Sequence, residues 1–341
     1  MTGGEFALIE AIRARLGRHS DRVLRALGDD AAVVKVDGLV VTSVDAFVEG
    51  VHFRLATTSL RDLGHKCLAA SLSDLAAVGA EPGEAYLAVG LPTSVAEREV
   101  LELIEGAEAL AEDLGVTICG GDLSASHELF VAVTVTGHAS SEDEIVGRDG
   151  CRSGDLVGVT GRLGGAGAGL VLLERKEHGL PVEVGARLLE RQRRPRPRLE
   201  AGMALARTGV HAMIDLSDGV ASDALRMAEE SGVELVLELE RLPLDEGVET
   251  VAEIVGMRPA DLAASAGEDY ELLFTASPDA HEKIETASDD AGAPVTWIGE
   301  VRRGSGVRLL DERGVQRSLR GWDHLDSRTA TDRGRRGQAS R

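Results

Sequence analysis

A chain of 341 residues with 43% hydrophobic content is long enough for two domains with a substantial buried core. Its formal net charge of −21 argues against non-specific nucleic-acid binding, which depends on Lys and Arg neutralising phosphates. Phosphorylated small substrates are not excluded, provided divalent cations stand between the two sets of negative charge.

Residues 5–17 have helical spacing and a Gly17 stop. The stretch Leu27-Gly28-Asp29-Asp30-Ala31-Ala32-Val33 then sets two adjacent carboxylates on a Gly-led turn. Residues 33–36 and 39–44 read as a pair of strands around the turn Asp37-Gly38, the second running into Asp45. Apolar residues at 60, 63, 67, 68, 72 and 75 predict a helix over 60–78, ended by Gly79. Asp74 falls in its last turns, where a negative charge opposes the helix dipole and a cation would relieve it. A second amphipathic helix is expected over 95–114, stopped by Gly115. Residues 116–119 read as a short strand opening into the turn Gly120-Gly121-Asp122, and 129–136 alternate as another strand. A first α/β domain is expected over 1–140, with the acidic stretch 140–144 as linker.

The second domain, expected over 150–325, opens with a strand at 156–160, a Gly-rich turn at 161–167 and a helix to about 175. Residues 191–198 read as a basic, Pro-containing connector. A strand at 212–216 ends in Asp215-Leu216-Ser217-Asp218-Gly219, followed by a helix to 230. Strands at 233–239, 270–275, 295–301 and 307–310, with a helix at 280–291, complete an α/β unit with mixed sheets. The tail 326–341 carries five Arg and two Asp with few apolar residues and is expected to be disordered.

Several chemistries are excluded. None of the four lysines (35, 66, 176, 283) follows a Gly, so there is no P-loop. The 161–169 turn fails the dinucleotide fingerprint, because Leu170 stands where a third spaced Gly is needed; a plain strand-to-helix turn outweighs a phosphate cradle there. No His-Glu-x-x-His or Cys-x-x-Cys pair suggests zinc. Cys67, Cys119 and Cys151 are odd in number and far apart, which predicts buried thiols rather than disulfides. Glu5 and Glu10 interrupt any apolar leader, and no uncharged apolar run reaches membrane-spanning length, so a cytoplasmic protein is expected.

What is present is a series of Asp residues at element ends: Asp29, Asp30, Asp45, Asp74, Asp122, Asp215 and Asp218. Taken singly, each reads as a turn or cap residue. Four share one form, a Gly or Ser beside the Asp: Gly28-Asp29-Asp30, Ser73-Asp74, Gly121-Asp122 and Ser217-Asp218-Gly219. Recurrence in both halves points to a shared site for several Mg2+ ions, which favour one or two carboxylates plus phosphate oxygens and water. A non-catalytic acidic metal-binding protein would carry the same carboxylates.

In order along the chain, Gly4-Glu5-Phe6, Gly28-Asp29-Asp30-Ala31-Ala32-Val33, Asp45 with Val48-Glu49-Gly50-Val51-His52-Phe53, Leu72-Ser73-Asp74-Leu75-Ala76-Ala77, Gly120-Gly121-Asp122, Ile214-Asp215-Leu216-Ser217-Asp218-Gly219, Gly267-Glu268-Asp269-Tyr270-Glu271 and Gly321-Trp322-Asp323-His324 form a set. In this set the chain resembles the thiamine-monophosphate kinase family, part of the superfamily of aminoimidazole ribonucleotide synthetase. The resemblance implies a two-domain aminoimidazole ribonucleotide synthetase-like fold and a homodimer whose first domains form a β-barrel interface. It implies Mg2+-dependent transfer of the ATP γ-phosphoryl group to thiamine phosphate, giving thiamine diphosphate and ADP, with no general base. Asp30, Ser43, Val44, Asp45, Asp74, Asp122, Asp215 and Asp218 would form the metal shell. Gly121, Asp122, Arg148 and Ser217 would contact ATP, and His52, Glu268 and Trp322 the thiamine side. Val44, Ser71 and Leu123 depart from the family's usual Thr, Asn and Thr. Other superfamily activities fit less well: the first Cys, Cys67, is far from the N-terminus where selenophosphate synthetase needs a reactive residue, the tail lacks the Cys of the hydrogenase-maturation enzyme, and aminoimidazole ribonucleotide synthetase chemistry, which stays open, lacks support from the Gly-Glu-Asp-Tyr-Glu and Gly-Trp-Asp-His stretches.

Overall fold

The computed structural model describes residues 4–17, 20–27, 31–175 and 179–321. Helix α1 (Gly4–Arg13) and the short strands β1 (Val23–Arg25) and β2 (Val33–Val34) lead into β3 (Leu39–Val48), α2 (Leu60–Val78), β4 (Glu81–Leu91), α3 (Glu97–Leu114), β5 (Thr117–Ala125) and β6 (Phe130–Ala139). Strands β3, β6, β4 and β5 lie in that order in one sheet, antiparallel except for the β4–β5 pair. One face of this sheet is covered by α2, which starts where Ser59 accepts a hydrogen bond from the Asp62 N–H and stops at Gly79 with φ 76°. Helices α2 and α3 cross so closely that a Cβ on Gly64 would lie 1.9 Å from the Leu103 carbonyl oxygen, and one on Gly106 1.9 Å from that of Arg61. Only glycine permits that approach.

The second half runs through β7 (Leu156–Thr160), α4 (Gly165–Glu174), α5 (Val182–Arg193), α6 (Leu199–Thr208), β8 (Ala212–Asp215), α7 (Val220–Ser231), β9 (Glu234–Glu238), α8 (Val248–Val255), α9 (Pro259–Ser265), β10 (Leu272–Ala276), α10 (His281–Asp290), β11 (Val295–Arg302), β12 (Gly306–Leu310) and β13 (Gln316–Arg317). Its mixed sheet has the order β13-β12-β9-β11-β7-β10-β8, with β12 and β9 parallel. The largest core cluster is continuous between the halves, from Leu68 and Leu72 of α2 through Leu205 of α6 to Phe274 of β10. A Cβ on Gly202 of α6 would meet the Ala76 carbonyl at 2.1 Å, so α2 is gripped from both sides.

Four expectations need correction. Residues 33–36 and 39–44 are not a hairpin: β2 pairs with β1, and β3 pairs with β6. Gly120-Gly121-Asp122 is not a turn but the middle of β5, where a Cβ on Gly121 would lie 1.9 Å from the Leu87 carbonyl. Residues 191–193 belong to α5 rather than to a connector. Strand β4 was not anticipated, because Glu81-Pro82-Gly83-Glu84 reads as a turn; the β4–β6 register shifts between Pro82 and Glu84, which accommodates the proline. The expected tail, 326–341, lies outside the described residues.

Candidate active site

Between the two halves lies a cavity of about 810 Å³. Asp45 from β3, Asp74 and Lys66 from α2, and His52 after β3 line it on one side. Asp215 at the end of β8, Ser217, Asp218 and Glu268 line it on the other. Asp215 and Asp74 come from element ends, whereas Asp45, expected at a strand end, lies inside β3, which continues to Val48. β3 directs Ser43 and Asp45 to the α2 face, in register with Val135 and Val133, and the last turns of α2 bring Asp74 alongside.

Two of the carboxylates, Asp74 and Asp215, are tied by serine hydroxyls. The Ser43 hydroxyl donates to Asp74, and Ser73 Oγ donates to Asp215 Oδ2 at 2.8 Å, linking the two halves. Burial holds Asp74 above the usual carboxylate range, partly offset by the Ser43 hydrogen bond and the Arg148 charge. Asp215 is pushed well above it, first by burial and then by the charges of Asp74 and Asp223, with Asp45 adding to them. Among the described residues no three His, Cys, Asp or Glu side chains make a ready-made metal cage. The donor set of hard carboxylate oxygens, mutually repelling and supported by serine hydroxyls, nevertheless fits Mg2+, which takes only one or two carboxylates and completes its shell with phosphate and water.

Asp218 is differently placed. Its carboxylate pairs with Arg226, while Asp223 accepts the N–H groups of Asp218 and Gly219 at 3.1 and 3.0 Å. Burial, then the Asp218 charge, raises Asp223 to about 7. The neutral His52 ring carries its proton on Nε2, because Nδ1 accepts the Val48 N–H at 3.0 Å. The Gly-rich turn before α4 is taken by Asp269, whose two oxygens accept the Gly164 and Ala166 N–H groups at 2.7 and 3.2 Å. That helix end is therefore filled by the protein's own carboxylate.

Not every predicted site residue reaches the cavity. Ser43 sits behind Asp74. Val44 points to the opposite, outer face of the sheet and is 63% exposed. Gly121 and Asp122 lie on edge strand β5, and the register Asp122–Ala88–Ala132 assigns Asp122 to the outer face as well. Arg148, exposed beyond β6, acts on Asp74 only through its charge. Asp30 and Trp322 lie outside the described residues.

The partners that hold two of the motif's glutamates were missed from sequence. Glu268 is held by two buried side chains: Lys66 Nζ at 2.7 Å from Oε1 and Gln192 Nε2 at 2.7 Å from Oε2. Glu268 and Tyr270 both have left-handed backbones, φ 69° and 50°. Such residues cost of order 1–3 kcal/mol and gather at functional sites. The Gly-Glu-Asp-Tyr-Glu motif marked the segment, but nothing local named its partners. Likewise Glu271, fully buried, is bound by Arg191 and Arg198 from the supposed connector.

Comparisons with known proteins place both halves of the chain in one family. The family model described as AIR synthase related protein, N-terminal domain, matches residues 28–139, and its C-terminal counterpart matches 152–312. The thiamine-monophosphate kinase of Rhodopirellula baltica is 37% identical over 308 residues, covering 87% of this chain and 89% of that protein. The crystal structure of thiamine-monophosphate kinase from Stenotrophomonas maltophilia superposes with a TM-score of 0.80 at 34% identity, over 90% of this chain and 96% of that one. The structure of AaThiL complexed with AMPPCP and TMP gives a TM-score of 0.76 at 30% identity, over 94% and 97%.

Proposed function

Because the chain belongs to the thiamine-monophosphate kinase family, within the AIR synthase related proteins, we propose that it transfers the γ-phosphoryl group of ATP to thiamine phosphate, giving thiamine diphosphate and ADP. The observation that carries this reading is the single cavity in which Asp45, Asp74 and Asp215, from both halves, face the same space as His52 and Glu268.

The acceptor is a phosphate oxygen already largely ionised near neutral pH, so no general base is needed. Catalysis reduces to alignment and charge neutralisation. Asp45, Asp74 and Asp215 would hold Mg2+, with Ser43 and Ser73 fixing the rotamers of two of them. The ion, when bound, supplies positive charge between the two anionic substrates. Ser217 and the Arg148 guanidinium are assigned to the ATP side; His52, Glu268 and Trp322 are assigned to thiamine. Asp30, Val44 through its carbonyl, Gly121 and Asp122 remain assigned to the ATP and metal side, and Asp218 to a further ion in competition with Arg226. The outer face of the first sheet, with Val40 51% and Val44 63% exposed, is proposed to close against a second copy as a homodimer. Buried thiols at Cys67, Cys119 and Cys151 suit a reducing, cytoplasmic setting.

The test is ADP release with thiamine phosphate or free thiamine as acceptor, with thiamine diphosphate identified as product. Turnover of free thiamine alone would overturn the assignment. Asp74→Asn should lower kcat by about 100-fold or more while leaving the far-UV circular dichroism unchanged. Asp122→Asn separates two arrangements: a comparable loss keeps Asp122 in the phosphate-binding shell, and wild-type turnover removes it.

A further inference from the structure

Glu268 meets the cavity with 28% of its side chain exposed, and it is fixed from behind on both oxygens. Lys66, from the middle of α2, is only 5% exposed. Its ammonium contacts Glu268 Oε1 at 2.7 Å and donates to Gln192 Oε1 at 2.6 Å. The Gln192 amide returns a hydrogen bond to Glu268 Oε2 at 2.7 Å. The three side chains come from α2, α5 and the loop before β10, and they close a ring in which each partner is satisfied by the other two. A buried ammonium without such partners would cost several kcal/mol. The ring also clamps a glutamate whose backbone is in the left-handed region, φ 69°, where the Glu268 N–H is held by the Ser217 carbonyl at 2.9 Å.

The geometry points to Lys66, with Gln192, as a positioning residue for thiamine phosphate. Together they hold the Glu268 carboxylate in one orientation, so that its remaining lone pairs face the cavity and accept an N–H from the amino group of the pyrimidine ring. This rests on the proposed function and names the part of the site that selects the acceptor. Each carboxylate oxygen has two acceptor positions, and the ring uses one on each. A site built to pair with a substrate N–H rejects an analogue lacking it, because its own buried polar group is then left unpaired.

The experiment compares wild type with Lys66→Met and Gln192→Leu in three measurements: KM for thiamine phosphate, KM for ATP, and calorimetric Kd for thiamine phosphate. Thermal unfolding and circular dichroism establish that each variant is folded, and Gln192→Leu carries the test if Lys66→Met is not. Lys66→Met is expected to raise KM and Kd for thiamine phosphate by about 10- to 100-fold, the range of a hydrogen bond to a charged group. KM for ATP should stay at the wild-type value. Lys66→Arg should restore part of the loss. The wild type should discriminate against the phosphate ester of a thiamine analogue whose pyrimidine amino group is replaced by oxygen, and Lys66→Met should lose that discrimination. If the folded variants raise both KM values alike, or lower thermal stability without changing acceptor preference, Lys66 is only a bridge between the halves and the inference is overturned. If the wild type neither binds nor phosphorylates thiamine phosphate, the proposed function falls and takes this inference with it. Wild-type turnover with unchanged variants sinks the inference alone.

Discussion

Individual carboxylates in this protein are kept where ionisation is costly, and Asp269 is the one whose cost can be measured apart from the proposed metal shell. Burial pushes it from the ordinary 3.8 to about 7, against the opposing pull of the Gly164 and Ala166 N–H groups and the Arg191 charge. The folded protein therefore holds the Asp269 proton more tightly than the unfolded chain does. Its contribution to stability is full in acid and is lost as pH rises from about 4 through about 7. Thermal unfolding of wild type and Asp269→Asn across that range should show the wild type losing ground to the variant as pH increases. Parallel pH profiles would mean that Asp269 ionises normally and that its two hydrogen bonds outweigh its burial. The same residue explains a reading the sequence supported only by elimination. The turn before α4 is not a phosphate cradle because a carboxylate from the Gly-Glu-Asp-Tyr-Glu segment already occupies it. Asp74, Asp215 and Asp218 were legible as candidates because each stands beside its own turn or helix-end signal, whereas Asp45, read as a strand end, lies inside β3 and is brought to the site by its register with Val133. Lys66 and Gln192 were not, since neither has a local signature and both are defined by a glutamate far along the chain.

Among the elements, α2 is the one the others are fitted around, and its closest approaches to α3 and α6 are set by glycine. Gly106→Ala would drive a methyl into the Arg61 carbonyl at 1.9 Å, and backbone cannot yield as a side chain tip can. The variant should lose about 1–3 kcal/mol of stability, the usual cost of overpacking, read as a lower midpoint in denaturant. KM values of the folded fraction should not change, because Gly106 lies on the α2–α3 crossing and not on the cavity wall. An unchanged midpoint would show that the helices separate freely. Helix α2 was readable in full because periodicity and the Gly79 stop agree, and the structure adds the Ser59 cap. Strands β4 and β5 were not, for opposite local reasons with one cause. Pro82-Gly83 and Gly120-Gly121 look like turn residues, but here they serve a bulge and a close strand approach that only the paired partner defines. Asp37-Gly38 misled in the same way: a Cβ on Gly38 would lie 2.4 Å from the Ala139 carbonyl, so that glycine answers to β6 rather than to a hairpin.

For the molecule as a whole, the first sheet is finished on only one side. Its α2 face is buried, whereas the outer face carries Val40, Val44, Tyr86, Ala88, Ala132 and Thr134, and β3 stands at the sheet edge with Leu39, Val40 and Val44 exposed. An edge strand with apolar side chains is a template for pairing unless something covers it. A net charge of −21 opposes indiscriminate association, so a self-complementary face is the way two copies could meet despite that repulsion. A stable homodimer needs roughly 1,000 Å² or more of buried surface, which a whole sheet face supplies and an isolated valine does not. Sedimentation of the wild type should give the mass of two chains at micromolar concentration. Val40→Arg places a guanidinium on the exposed outer face of β3 at a residue with no assigned role in the site, and it should shift the protein toward the one-chain mass. The consequence for activity follows from the placement of Asp122, which shares the outer face with Val44. If Asp122 belongs to the phosphate-binding shell, the Val40→Arg monomer should show a raised KM for ATP while its Kd for thiamine phosphate, set on the Glu268 side of the cavity, stays where it was. A wild type that sediments as one chain would remove the dimer, and the outer-face role of Asp122 would then have to stand within a single subunit.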